Sequence, residues 1–137
     1  MEGIRMGLDF FDETYLRGKG IVKSDIDYLG EKLSWKLPLE LEQLYSQTDG
    51  FEGQVNNLFV EFWSIEQIVS FNELYEDVIC GQYVFFASSD EGYDSYAYQK
   101  EDGKIYVFPT DCGVEDIADG KLCAEDLSGL FEYWKNK

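Results

Sequence analysis

Histidine is absent from the 137-residue chain. Its absence removes several chemistries at once: a Ser-His-Asp triad, a Cys-His dyad, a His-ligated zinc and a haem on a proximal His. Basic residues are scarce as well. Eleven Lys and Arg stand against 28 Asp and Glu, for a formal net charge of -17. Such a chain lacks the basic surface that replaces counterions along phosphates, so direct nucleic-acid contact is not expected. Adhesion to anionic membranes is disfavoured for the same reason. No stretch approaches 18 consecutive apolar residues, so no membrane-spanning helix is expected. The opening Met1-Glu2-Gly3-Ile4-Arg5-Met6-Gly7 shows no basic region followed by an apolar one, which speaks against a secretory leader. Cysteine is limited to Cys80, Cys112 and Cys123. An odd number without Cys-x-x-Cys reads as reduced packing thiols in a cytoplasmic protein.

What is present is apolar enough to fold. Hydrophobic residues make up 45% of the chain and aromatics 17%, too much for an acidic disordered polymer. The length suits one domain with a single core. Residues 1–22 carry Gly3, Gly7, Gly18 and Gly20 and only a weak apolar stripe. They are expected to form an irregular arm, with the folded domain spanning 23–137. Ser24 is placed to cap a first helix carrying Ile26, Leu29 and Leu33. Pro38 suits the first position of a second, with Leu37, Leu41, Leu44 and Tyr45 at helical spacing and Asp49-Gly50 closing it. Leu58 to Trp63 alternates as a strand, with Phe59, Glu61 and Trp63 facing away from Leu58, Val60 and Phe62. Ser64 and Gln67 form a capping-box pattern for a third helix running to about Tyr75. Tyr83 to Ala87 is apolar throughout and reads as a central strand. Asp94–Lys100 and Lys104–Phe108 flank Asp102-Gly103, a strong hairpin signal, and Pro109 ends the run. A last helix from about Glu125 carries Leu127, Leu130, Phe131 and Trp134. The expected fold is a single α+β domain. An antiparallel sheet of about four to six strands has helices packed on one face or end.

These segments in this order resemble the SUKH superfamily, a group of bacterial toxin-immunity proteins related to yeast cell-wall assembly regulators. The likeness begins at Ile26-x-x-Leu29-x-x-Lys32-Leu33, Leu37-Pro38, Leu41, Leu44-Tyr45 and Asp49-Gly50-Phe51. It continues through Phe62-Trp63-Ser64-Ile65-Glu66-Gln67-Ile68, then Asn72-x-x-Tyr75, Phe86-Ala87-Ser88-Ser89-Asp90, Tyr98 and Ile105-Tyr106-Val107, closing at Leu127, Leu130 and Phe131. It covers roughly residues 24 to 135. The resemblance implies that the antiparallel sheet is curved. It also implies a cytoplasmic inhibitor that binds a cognate toxin domain, often a nuclease, and blocks it. No catalytic residues come with the family.

Between Glu73 and Asp119 lie twelve carboxylates and only two bases, Lys100 and Lys104. Beside the resemblance, this run reads as a surface that receives a basic partner; taken alone it reads as a solvated face that keeps the chain soluble. The partner-binding candidates are Asp90, Glu91, Tyr93, Asp94, Tyr96, Asp111, Glu115, Asp116 and Asp119. Tyr93 and Tyr96 are chosen because tyrosine brings contact area at small entropy cost. Calcium is not expected: with Gly120 at position 6 of an EF-hand loop, Ile117 falls on a ligand position, and with Gly92 there, Ala87 does. No metal, cofactor or catalytic residue is assigned. The expected protein is a monomer or weak homodimer partnered by a basic toxin domain. Alternatives are an acidic nucleic-acid mimic that inhibits DNA-binding proteins, a regulatory scaffold module, and a carboxylate-pair hydrolase.

Overall fold

The computed structural model describes residues 11, 13–16, 20–89, 93–110 and 113–136. Seven strands form one antiparallel sheet in simple chain order. They are β1 (Glu13–Leu16), β2 (Phe51–Val55), β3 (Leu58–Phe62), β4 (Tyr83–Ser89), β5 (Asp94–Gln99), β6 (Ile105–Pro109) and β7 (Lys121–Ala124). The sheet is curved and unclosed. Among the described residues the helices are α1 (Lys23–Leu33), α2 (Leu39–Tyr45), α3 (Ile65–Leu74), the short α4 (Glu76–Ile79) and α5 (Leu127–Lys135).

The antiparallel α+β class holds, but the sheet is wider than the four to six strands expected. The additional strands have weak sequence signals. β2 reads Phe-Glu-Gly-Gln-Val, where Gly and two long polar side chains dilute β-propensity. β7 is a short edge strand whose Lys121 and Leu122 face solvent. β1 lies inside the arm expected to be irregular and pairs with β2 from Glu13↔Gln54 to Leu16↔Phe51. Next to it Phe11 is buried, edge-on to Phe51 and Phe131 at 5.4 Å.

Local signals explain some helix ends and mislead at others. Both capping-box bonds of α3 form: the Gln67 N–H donates to Ser64 Oγ (3.2 Å), and the Ser64 N–H donates to Gln67 Oε1 (2.9 Å). α1 begins one residue before Ser24, with Val22 as its cap and the Asp25 carboxylate accepting the Val22 N–H at 3.3 Å. Pro38 stands at the cap of α2 rather than inside its first turn. α2 also stops at Tyr45, four residues short of Asp49-Gly50. Asp49 serves the next helix instead, its Oδ1 accepting the Ile65 N–H at 2.9 Å. Gly50, at φ +88°, then turns the chain into β2.

The core has two layers of aromatic rings. Phe51, Phe62, Phe86, Tyr96 and Tyr98 line one side, where Phe131 and Trp134 of α5 pack on them; Trp134 sits edge-on to Phe62 at 5.7 Å and to Tyr96 at 5.2 Å. Phe85 and Phe108 belong to the other layer, which reaches Tyr83, Tyr106 and Phe71 of α3. Every residue of β4 is buried, as its unbroken apolar run predicts for a central strand. Leu37, Leu41, Leu44, Val84, Phe86, Leu130 and Trp134 are all buried. At the hairpin, Gly103 takes φ +72° and the Asp102 carboxylate receives the Lys104 N–H and the Tyr106 hydroxyl, both at 2.8 Å. The cysteines depart from expectation in one respect: Cys80 is exposed, beyond the end of α4, whereas Cys123 is partly buried. Cys112 lies outside the described residues.

Candidate partner-binding surface

The nine candidate residues do not share one environment. Asp90, Glu91 and Asp111 lie outside the described residues. Tyr93 is 62% exposed in the turn ahead of β5, and its carbonyl accepts the Thr110 N–H at 2.8 Å. Asp94 opens β5 opposite Pro109 and is half-buried. Glu115, Asp116 and Asp119 are exposed around a single 3₁₀ turn, Ile117–Asp119. Asp116 holds that turn, its Oδ1 accepting the Ala118 N–H at 2.9 Å. Asp94 and Asp119 meet across a shallow groove of about 440 Å³ lined also by Val107, Pro109, Lys121 and Tyr133. Two carboxylates far apart in sequence thus share one concavity, with Lys121 as its cation.

Tyr96 is elsewhere. Its ring is fully buried beneath α5, and its hydroxyl shares a 2.8 Å hydrogen bond with Ser89. Burial raises its pKa above the ordinary 10.0. It cannot anchor a partner from that position, so the choice of Tyr96 is corrected. Asp94, Tyr96 and Tyr98 fall on one face of the strand, and two residues of travel carry that face from rim to core. Tyr98 is buried too, and its hydroxyl donates to Glu40 Oε2 at 2.8 Å. Burial and the neighbouring Glu40 carboxylate both raise its pKa.

A second surface lies outside the acidic run. Cross-strand register places Tyr15, Glu52, Glu61 and Ser88 in one row across β1 to β4. Phe59, two residues from Glu61, shares their side of the sheet and pairs with Gln54. Tyr15 is 52% and Phe59 47% exposed; Glu52 and Glu61 are half-buried. The row closes at buried Ser88, whose Oγ accepts the Trp63 indole N–H at 3.1 Å. A groove of about 240 Å³ runs along Glu52, Phe59, Glu61 and Ser88. The alternation of Leu58–Trp63 already separates Phe59 and Glu61 from the core side. Their neighbours Tyr15 and Glu52 are legible only once β1 and β2 are known.

Among the described residues, no group of three or more His, Cys, Asp and Glu side chains is arranged to hold a metal. No helix there is long and apolar enough to cross a membrane. A family model, described as the SMI1 / KNR4 family (SUKH-1), matches residues 20–133. Its members are generally non-catalytic immunity or regulatory proteins. No curated protein matches the chain.

Proposed function

Because the chain belongs to the SMI1 / KNR4 family (SUKH-1), we propose that it is a cytoplasmic immunity protein that binds a basic toxin domain, a nuclease in particular, and occludes it without turnover of its own. The observation that carries this reading is the family match over residues 20–133. Electrostatics support it: a net charge of -17 favours encounter with a positively charged active-site cleft. The contact residues proposed from the acidic run are Asp90, Glu91, Tyr93, Asp94, Asp111, Glu115, Asp116 and Asp119.

Binding of this kind needs shape and charge, not chemistry. Screened attraction steers the approach, and a few desolvated contacts then hold the complex. The test pairs this protein with its candidate toxin, a basic nuclease domain, and measures the toxin's nuclease activity and both rate constants. The expected result is a one-to-one complex that abolishes the toxin's activity. Adding salt should slow association about tenfold or more and change dissociation little. Neutralising Glu115, Asp116 and Asp119 together should slow association at low salt. A toxin that stays fully active beside excess protein would overturn the reading.

A further inference from the structure

The groove between α1 and α3 has an apolar floor and acidic walls. We propose that it docks a short segment of the partner protein in which a basic side chain stands next to an apolar one. This deepens the immunity reading above, on which it rests for the partner's identity, and places the holding contact on a face outside the acidic run.

Helical spacing builds the groove. Asp25, Tyr28 and Lys32 stand at i, i+3 and i+7 on α1, so they share one side of it. Glu66, Ser70 and Glu73 do the same on α3, at i, i+4 and i+7. The two rows flank a concavity of about 430 Å³. Its floor is Ile65 and Val69, 8% and 7% exposed, joined by half-buried Ile21. At one end Lys32 and Glu73 pair at 3.2 Å, so those two charges are met within the chain. Three further carboxylates remain along the groove, Asp25, Asp49 and Glu66. Asp25 accepts the Val22 N–H and Asp49 the Ile65 N–H. A carboxylate offers about four lone-pair sites, so each of these bonds aims its group and leaves it able to accept more. Glu66 stands exposed in the first turn of α3.

Charge sets the sign of the occupant. With Lys32 already paired, the groove attracts a cation and repels phosphates. A second copy of this chain is disfavoured, since each carries -17. The floor sets the rest. A bare ammonium would answer the acids but leave Ile65 and Val69 against water; an apolar neighbour covers them. Tyr28, 50% exposed on the α1 wall, offers its ring to the aliphatic stem and charged head of a lysine or arginine. A neighbouring groove of about 620 Å³ carries Lys32 and Lys100 against Glu73 and Glu76, so its charges balance and favour neither sign. The walls of the α1–α3 groove are held in place by the Ser64–Gln67 capping box and by the Asp25 and Asp49 bonds. Docking therefore needs little reorganisation.

The experiment titrates the isotope-labelled full chain, by NMR at moderate salt, with a capped hexapeptide of alternating lysine and leucine, and separately with capped hexalysine. Shifts should concentrate on residues 21–32 and 65–73. The alternating peptide carries half the charge, yet it should bind about fivefold or more tighter, because only it covers the floor. Ser70→Arg, at an exposed helical position, sets bulk and a positive charge on the groove wall. It should weaken the alternating peptide about tenfold or more while circular dichroism verifies the fold. Tyr28→Ala, also exposed, should weaken it severalfold. The triple variant Glu115→Gln, Asp116→Asn, Asp119→Asn should leave peptide affinity within about twofold. Tighter binding of hexalysine, equal weakening by Ser70→Arg and the triple variant, or shifts spread over residues 93–119 would mean unspecific charge attraction and overturn the assignment. So would a concentration-dependent dimer whose contacts map to the groove. With the candidate toxin, a complex indifferent to both Ser70→Arg and Tyr28→Ala defeats the groove and leaves the immunity reading standing. Absence of any toxin complex defeats the immunity reading alone, and the peptide arms still decide the groove.

Discussion

Asn72 takes the place of a strand beside Phe85. The Phe85 N–H donates to Asn72 Oδ1 at 2.9 Å, and the Phe85 carbonyl accepts from Asn72 Nδ2 at 2.9 Å. The need arises because β3 leaves β4 early: its last pairs are Phe62↔Ala87 and the Trp63 N–H to the Phe86 carbonyl at 3.0 Å. Beyond that point the buried edge of β4 would expose an unsatisfied peptide group inside the core. A primary amide has one acceptor and two donor hydrogens, so it matches a peptide edge. The same amide also bonds the Ile68 carbonyl at 2.7 Å, which fixes the side chain against its own helix.

Asn72→Ala should therefore cost more than a typical buried polar truncation. It removes both partners of a buried backbone pair, at about 1–3 kcal/mol for each group left unsatisfied. We expect a loss of about 2–5 kcal/mol in urea denaturation. Asn72→Asp should rescue little, because a carboxylate can accept from the Phe85 N–H but cannot donate to its carbonyl. A loss below about 1 kcal/mol for the alanine variant would contradict this role.

Glu40 ties two distant elements together. Its carboxylate accepts the Tyr98 hydroxyl at 2.8 Å and the Leu127 N–H, at the start of α5, at 3.0 and 3.1 Å. Glu40→Ala should destabilise by about 1–3 kcal/mol, whereas Glu40→Gln, which keeps one acceptor oxygen, should lose less. The thermal unfolding midpoints of both variants against the parent check the order. Equal losses would show that carboxylate charge, not acceptor geometry, is what matters.

Alkaline pH should unfold the protein early. Tyr96 and Tyr98 both have pKa values raised by burial above the ordinary 10.0. A raised folded-state value means the unfolded chain releases these protons first. Their contribution is complete below about pH 10 and is lost as pH climbs toward the folded-state values. The slope approaches about 1.4 kcal/mol per pH unit for each tyrosine. Tyr98→Phe should flatten the alkaline limb of stability against pH. An unchanged limb in the double Tyr96→Phe, Tyr98→Phe variant would assign the loss to other groups.

Gly50 should resist substitution. Its φ of +88° is one that L side chains rarely adopt, and an added Cβ would fall 2.7 Å from the Phe62 carbonyl oxygen and 2.8 Å from the Ser64 nitrogen. Both neighbours are backbone at the β3–α3 junction, so neither can swing away. Gly50→Ala should cost about 2 kcal/mol or more in chemical denaturation. Gly103→Ala is the contrast: it shares a positive φ but has nothing within 4 Å, so its cost should stay near about 1 kcal/mol.

How far the sequence reveals the structure depends on where each signal resides. Ser64-x-x-Gln67 and Asp102-Gly103 are local devices whose partners lie within a few residues, and both form as the pattern predicts. The apolar run Tyr83–Ala87 is legible because burial on both faces leaves no alternation to misread. Asp49 is different: its partner is the Ile65 N–H, sixteen residues away, so Asp49-Gly50 imitates a helix end while capping another helix. β1, β2 and β7 owe their form to neighbours in the sheet rather than to propensity. Tyr96 shows the same limit at the candidate surface. Adjacent acids suggest solvent, yet its neighbour at i-2, Asp94, marks the rim while Tyr96 itself passes under α5.

Strands arranged in chain order also imply an itinerary. Each strand can add to the edge its predecessor has just offered, so a growing chain need never leave a slot open for a later segment. The clasp between Glu40 and Leu127 spans 87 residues, and by loop-closure entropy it belongs among the last contacts to form. It should act as a lock rather than a nucleus: removing it would let the native molecule open faster while the sheet still assembles at its usual pace.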